Sequence, residues 1–173
     1  MTNHNRWQVV GVYVGGLFAL PVVLQPAERP DYVSTAPDVI TQFSMAARYR
    51  TVGLLAHNNL AGAQFSKLHP MQLIHLIYGD GSIQTYIITA IHRYQALYPE
   101  SPVSNFVDLD HPDQQISALS LFNRTYAMND RLVFQTCIAK NGEDAWGRLF
   151  IIAIPYDQET QYTSRIREFV SVN

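Results

Sequence analysis

A mainly β protein is what this sequence predicts, closed into a barrel of about seven or eight strands with a few short helices. Three observations lead there. Short runs rich in Val, Ile, Tyr and Phe recur along the chain, separated by clusters of Gly, Pro, Asn and Asp. The runs follow one another too closely for repeated strand–helix–strand crossovers, each of which needs a dozen or more residues. Hydrophobic residues make up 47% of 173, enough for one buried core. The chain reads as a single domain, residues 1–173, with a barrel core over 7–155 and a helical extension over 156–173.

Residues 8–14 and 17–24 read as two strands joined by a hairpin at Gly15-Gly16. Together they carry an apolar stretch, residues 9–24, that falls short of the ~20 residues needed to span a bilayer. Gly11, Gly15, Gly16 and Pro21 interrupt it further, so strands are expected and not a membrane helix. No clear export signal or anchor is evident in the chain as shown. Thr35-Ala-Pro-Asp38 has the chemistry of a helix start, with Val39, Ile40, Phe43 and Ala47 on one face. Residues 51–56 form an apolar strand that ends at His57-Asn58-Asn59.

Asp80-Gly81 is a hairpin signal between strands at 71–78 and 82–92, and both central positions are expected at positive φ. The long connection 95–130 contains a helix expected at 113–122. Residues 131–138 and 147–154 make two further strands, joined by a polar loop at 139–146. Tyr162, Ile166, Phe169 and Val170 then recur at helical spacing, which predicts a last amphipathic helix.

Lys plus Arg number 12 and Asp plus Glu 14, a net charge of −2. No basic surplus exists to displace counterions from nucleic acid, so a nucleic-acid partner is excluded. A polybasic membrane tether is excluded for the same reason. Cys137 is the single cysteine, so neither an internal disulfide nor a cysteine-based zinc cluster can form.

Three residues carry chemistry at the ends of apolar strands, in the order His57, Cys137, Arg148. By type alone, a cysteine there is more often inert packing, a histidine structural and an arginine a surface charge. A thiol nucleophile needs a base within reach and a donor for the oxyanion, and this set supplies both. Other constellations are weaker. Asp108, Asp110 and Asp113 lack the glycine and distal Glu of a calcium loop. His69 and His75 have no evident third ligand. No metal and no cofactor is expected.

On these residues the chain resembles the sortases, cysteine transpeptidases of Gram-positive type, over most of its length. Leu20-Pro-Val-Val23 matches a segment of the family's first strands. Leu54-Leu-Ala-His-Asn58, followed by Phe65 and Leu68, matches its histidine segment, and Gly79-Asp80-Gly81 its next turn. Val133-Phe-Gln-Thr-Cys137 matches the nucleophile motif, with Arg148 eleven residues later. Two departures stand out: Ala56 replaces the usual glycine before the histidine, and Val133-Phe134 replaces Thr-Leu.

The resemblance implies a sortase barrel in which Cys137 attacks a peptide sorting signal and forms a thioacyl-enzyme. His57 would protonate the leaving amine and deprotonate the incoming one, Arg148 would hold the oxyanion or substrate backbone, and Thr136 would help line the site. The partners implied are a peptide sorting signal and an amine acceptor, a cell-wall precursor or a pilin lysine. The location implied is the extracellular side of a membrane. A hydrolytic peptidase and a non-catalytic peptide-binding barrel are the alternatives.

Overall fold

The computed structural model describes residues 2–101 and 103–157. Among these are ten strands: β1 Val9–Val14, β2 Phe18–Leu24, β3 Ile40–Phe43, β4 Val52–Leu55, β5 Leu73–Tyr78, β6 Ile83–Ala96, β7 Phe106–Asp108, β8 Gln115–Ile116, β9 Leu132–Lys140 and β10 Glu143–Pro155. One α-helix, α1 Ala118–Thr125, and two short 3₁₀ helices, Ser44–Tyr49 and Ala61–Lys67, complete the set. The strand order is β10-β9-β4-β3-β2-β1-β5-β6, and pairing of β10 with β6 closes these eight into a barrel. The expected closed barrel is therefore present. β7 and β8 extend the sheet beyond the C-terminal half of β6.

Strand alternation creates two cores. Along β9, Leu132 and Phe134 point into the barrel with Val12, Leu54, Leu76 and Ile151. Val133 points outward, toward Tyr94, Phe106, Leu121, Tyr126 and Phe150. α1, β7 and β8 thus roof part of the outer face of β6, β10 and β9. Phe65 of the second 3₁₀ helix enters the inner core, its ring 4.9 Å from that of Phe134 in an edge contact.

Residues 9–24 form the expected hairpin, paired Val14↔Phe18, with Gly16 at φ +74 in the turn. Other expectations need correction. The helix expected from Thr35 does not form. Asp38 adopts φ 57 in a turn, and Ile40–Phe43 is β3, parallel to β2 through Val22↔Ile40. β-branched Val39, Ile40 and Thr41 suit a strand better than a helix, and Ile40 is completely buried there.

α1 begins later than expected because Ile116 pairs with Phe106 as β8. Ser117 caps the helix, accepting a hydrogen bond from the Ser120 amide at 3.1 Å. In the 79–81 turn only Gly81 has positive φ; Asp80 instead accepts hydrogen bonds from the Ser82 amide and hydroxyl. The 139–146 loop is mostly strand: Lys140 pairs with Glu143 across an Asn141-Gly142 turn at φ 54 and 82. The predicted helix bearing Tyr162, Ile166, Phe169 and Val170 lies outside the described residues. No helix among the described residues is long and apolar enough to cross a membrane.

Candidate active site

Strand register brings Cys137 and Arg148 side by side, and β4, on the other side of β9, leads into His57. Cys137 on β9 is directly opposite Arg148 on β10. Directly opposed side chains have Cβ atoms about 4.5–5.5 Å apart. On the other side of β9, β4 runs parallel, with Leu54↔Phe134 and Leu55↔Gln135. The Ala56 amide continues that ladder by donating to the Gln135 carbonyl at 3.3 Å. His57 follows two residues after the last paired residue of β4, where the chain leaves the strand beside β9. Alternation turns Cys137 and Arg148 outward, since Phe134 and Leu149 belong to the inner core. His57, Cys137 and Arg148 are each partly exposed.

The His57 segment is held from several directions. The His57 carbonyl accepts from the Leu60 and Gly62 amides, both at 3.0 Å, which turns the chain into the 3₁₀ helix. The Thr136 hydroxyl donates to the Ala56 carbonyl at 2.8 Å. Thr136 is 5% exposed and faces the barrel interior, the side opposite Cys137; its hydroxyl is therefore committed to the backbone. Asn58 Nδ2 donates to the Asp144 carbonyl at 3.1 Å and links this segment to the β9–β10 hairpin.

Gly62 is required by the close approach. A Cβ there would lie 2.6 Å from the His57 carbonyl oxygen and 2.8 Å from that of Ala56, and would collide with the Thr136 hydroxyl. Gly62 and Asn58 belong to the polar loop after His57, but their contacts depend on β9 and β10, which lie far away in sequence.

Arg148 is preset by its own neighbourhood. Its Nη1 donates to the Ala145 and Gly147 carbonyls at 2.8 and 2.9 Å, which leaves the other guanidinium donors available. A groove of 190 Å³ runs from Arg148 and Gln135 over Phe150 to Leu121, Phe122 and Tyr126 under α1. The Tyr126 hydroxyl donates to Gln135 Oε1 at 2.6 Å and pins the roof to the floor two residues from Cys137. Burial pushes this phenol above its ordinary pKa, so it remains a donor.

The row continues past Arg148. Tyr94 on β6 is the cross-strand partner of Arg148, and Asp108 on β7 that of Tyr94. Asp108 is 3% exposed; its carboxylate accepts from the Asp110 amide at 3.0 Å and lies 3.7 Å from Arg124 Nη1. This pairing ties α1 to β7.

A thiol and a guanidinium side by side on adjacent strands, with an imidazole on the segment after β4, are the groups that nucleophilic attack, oxyanion binding and proton transfer call for. Comparison with solved structures bears on the same architecture. Sortase C from Clostridium perfringens SM101 superposes with a TM-score of 0.53 at 13% identity, covering 90% of this chain and 73% of that one. Sortase C-1 from Actinomyces oris gives 0.56 at 10% identity, covering 86% and 71%. The chain has a sortase-like fold. Sortase A from Corynebacterium diphtheriae is also similar, at 0.55 and 12% identity, and this chain spans 61% of it. No family model and no curated protein sequence matches. The similarity to these sortases is thus a likeness of fold.

Proposed function

We propose that this protein is a sortase-type cysteine transpeptidase with Cys137 as nucleophile, His57 as general acid and base, and Arg148 as oxyanion donor. What supports this reading is the cross-strand pair Cys137–Arg148, with His57 on the segment that follows the neighbouring strand β4 and a groove that runs from Arg148 to Phe122, Tyr126 and Phe150. The Cys137 sulfur attacks a peptide carbonyl and a C–S bond forms. Arg148, braced by two backbone carbonyls, steadies the negative oxygen. His57 delivers a proton to the departing amine, the C–N bond breaks, and a thioester remains. An incoming amine then gives its proton to His57 and displaces the thiolate. Thr136 acts through Ala56 as a positioning residue.

The substrate proposed is a peptide sorting signal lying along the groove under α1. One similar structure is of Clostridium perfringens sortase C with the C-terminal cell wall sorting motif. An amine of a cell-wall precursor or a pilin lysine is the proposed acceptor, and the extracellular side of a membrane is the proposed location. The test combines a peptide library, with and without added amines, and intact-mass detection of an acyl adduct on Cys137. Transfer to the amine is the expected result. Peptide cleavage with no amide product would make the protein a hydrolase, and absence of any adduct would leave a peptide-binding barrel.

A further inference from the structure

Gln135 sits in the groove under α1, one step along β9 from the thiol and on the same face of the sheet. Val133, Gln135 and Cys137 alternate outward, with Val133 in the outer core and Phe134 in the inner one. Gln135 is the cross-strand partner of Phe150, as Cys137 is of Arg148. Gln135, Arg148 and Phe150 line the groove, and no carboxylate among the described residues does. The Tyr126 hydroxyl fixes the Gln135 side chain. Its 2.6 Å separation from Oε1 suits O–H···O and is short for N–H···O, so the amide oxygen faces the phenol. The Tyr126 ring is 2% exposed and packs against Phe43 and Phe122, with centroids 5.2 and 5.3 Å away, so the phenol cannot follow a turning amide. Gln135 Nε2 is thereby turned away from the phenol. It has no hydrogen-bond partner among the described residues and keeps contact with solvent. The groove therefore offers a substrate two amide N–H donors held in place.

We infer that Gln135 is a specificity-determining residue for the acyl side of the substrate. It selects peptides that carry a side-chain carbonyl oxygen, from a carboxamide or a carboxylate, two residues before the residue whose carbonyl is attacked. This inference rests on the proposed acyl transfer, with the peptide along the groove. Same-face neighbours on a strand are about 6.6–6.8 Å apart, and an extended peptide advances as far over two residues. With the reacting carbonyl over Cys137, the side chain two residues earlier reaches Gln135, and the one between points away. A pinned amide that shows only N–H groups pairs with an oxygen and has nothing to offer an ammonium. An apolar side chain there strips water from the N–H groups and leaves them unpaired.

The test uses the full chain and N-acetyl-Xaa-Ala-Gly 4-nitrophenyl esters, with Asn, Asp, Leu or Lys as Xaa, so no sorting motif need be known. The Cys137 sulfur attacks the glycyl carbonyl, the C–S bond forms and the C–O bond breaks; 4-nitrophenolate leaves and the thiol proton passes to water. The burst of 4-nitrophenolate gives the acylation rate, and intact mass reports the thioester. Rates are taken as ratios within each variant, so a general change in thiol reactivity cancels. Wild type is expected to acylate about fivefold faster with Asn than with Leu, as for one neutral hydrogen bond, and slowest with Lys. Q135L keeps the bulk, removes the donors and should abolish the preference for Asn over Leu. Q135E should turn the preference toward Lys, and Y126F, which releases the amide, should narrow the gap between Asn and Lys. Moving the carboxamide one residue farther, in N-acetyl-Asn-Ala-Ala-Gly ester, should remove its advantage. An equal Asn-to-Leu ratio in wild type and Q135L, with the thioester formed normally, overturns the inference about Gln135 alone. Failure of every ester to acylate Cys137 overturns the proposed function and this inference with it.

Discussion

Replacing Gly62 by Ala probes whether the backbone that presents His57 is as tightly packed as the structure shows. The new Cβ would lie 2.6 Å from the His57 carbonyl oxygen and 2.8 Å from the Ala56 carbonyl oxygen, and would displace the Thr136 hydroxyl. Two of these obstacles are backbone and cannot swing aside. Overpacking of this type costs about 1–3 kcal/mol. Loss of the Thr136–Ala56 hydrogen bond adds about 0.5–1.5 kcal/mol. A destabilisation of about 2–4 kcal/mol follows, and at ~2–4 °C per kcal/mol for a chain of this length the melting temperature should fall by about 4–16 °C.

The same shift moves the His57 carbonyl and slows acylation of Cys137, since misplacement by about 1 Å can cost on the order of 10² in rate. Thermal melts and the 4-nitrophenolate burst measure the two effects. Gly15→Ala is the control. Its Cβ would meet only the Tyr13 hydroxyl at 3.7 Å, so its stability should change by no more than about 0.5 kcal/mol. Gly142→Ala has open space but φ +82, and should cost about 1–2 kcal/mol without affecting the burst. A Gly62→Ala protein that melts and acylates like Gly15→Ala would refute the packing argument.

Cys137→Ala should abolish acyl transfer, because the chain holds no second thiol. Arg148→Lys should lower the rate by about 10²–10³ through loss of the oxyanion fork, read as turnover of a peptide library beside a thermal melt. Thr136→Val should keep Cys137 reactive to thiol reagents but reduce stability by about 1–3 kcal/mol, with rescue by Thr136→Ser, since the hydroxyl satisfies the Ala56 carbonyl. His92 has its pKa lowered, first by burial and then by Arg124. The unfolded chain therefore binds that proton more readily. Stability from this group is complete above about pH 6.5 and declines as the pH falls from there through the folded-state pKa. Melting temperatures at pH 8 and pH 5 should differ less for His92→Gln than for wild type, and equal differences would remove His92 from the acid response.

Much of the barrel was legible because strands announce themselves locally. The β1–β2 hairpin shows in alternating valines and two glycines, and β9 in the run from Leu132 to Cys137. The misread elements were those in which a distant partner outweighs local preference. Ile40 has plausible helical neighbours in sequence, yet a vacant position beside Val22 makes it a strand. Ile116 likewise leaves the expected helix to pair with Phe106. The Asn141-Gly142 turn, by contrast, carries a local hairpin signal inside the stretch expected as a loop.

For the candidate site, the sequence by itself determined the inventory: one cysteine, a histidine and an arginine at strand ends, and a motif order similar to the sortases. Tertiary structure alone decided their spacing. Antiparallel pairing of β10 with β9 set Arg148 beside Cys137, parallel pairing of β4 with β9 brought the strand before His57 alongside, and both registers depend on which faces are buried in the barrel. It also decided that Thr136 faces inward against Ala56, 80 positions away, and that its hydroxyl, 74 positions from Gly62, closes the space already narrowed by the nearby Ala56 and His57 carbonyls. A local sequence pattern specifies the preference of a residue for a strand or a turn. The distance between two side chains on different strands is specified only when the whole sheet closes and every register is locked by the core beneath it.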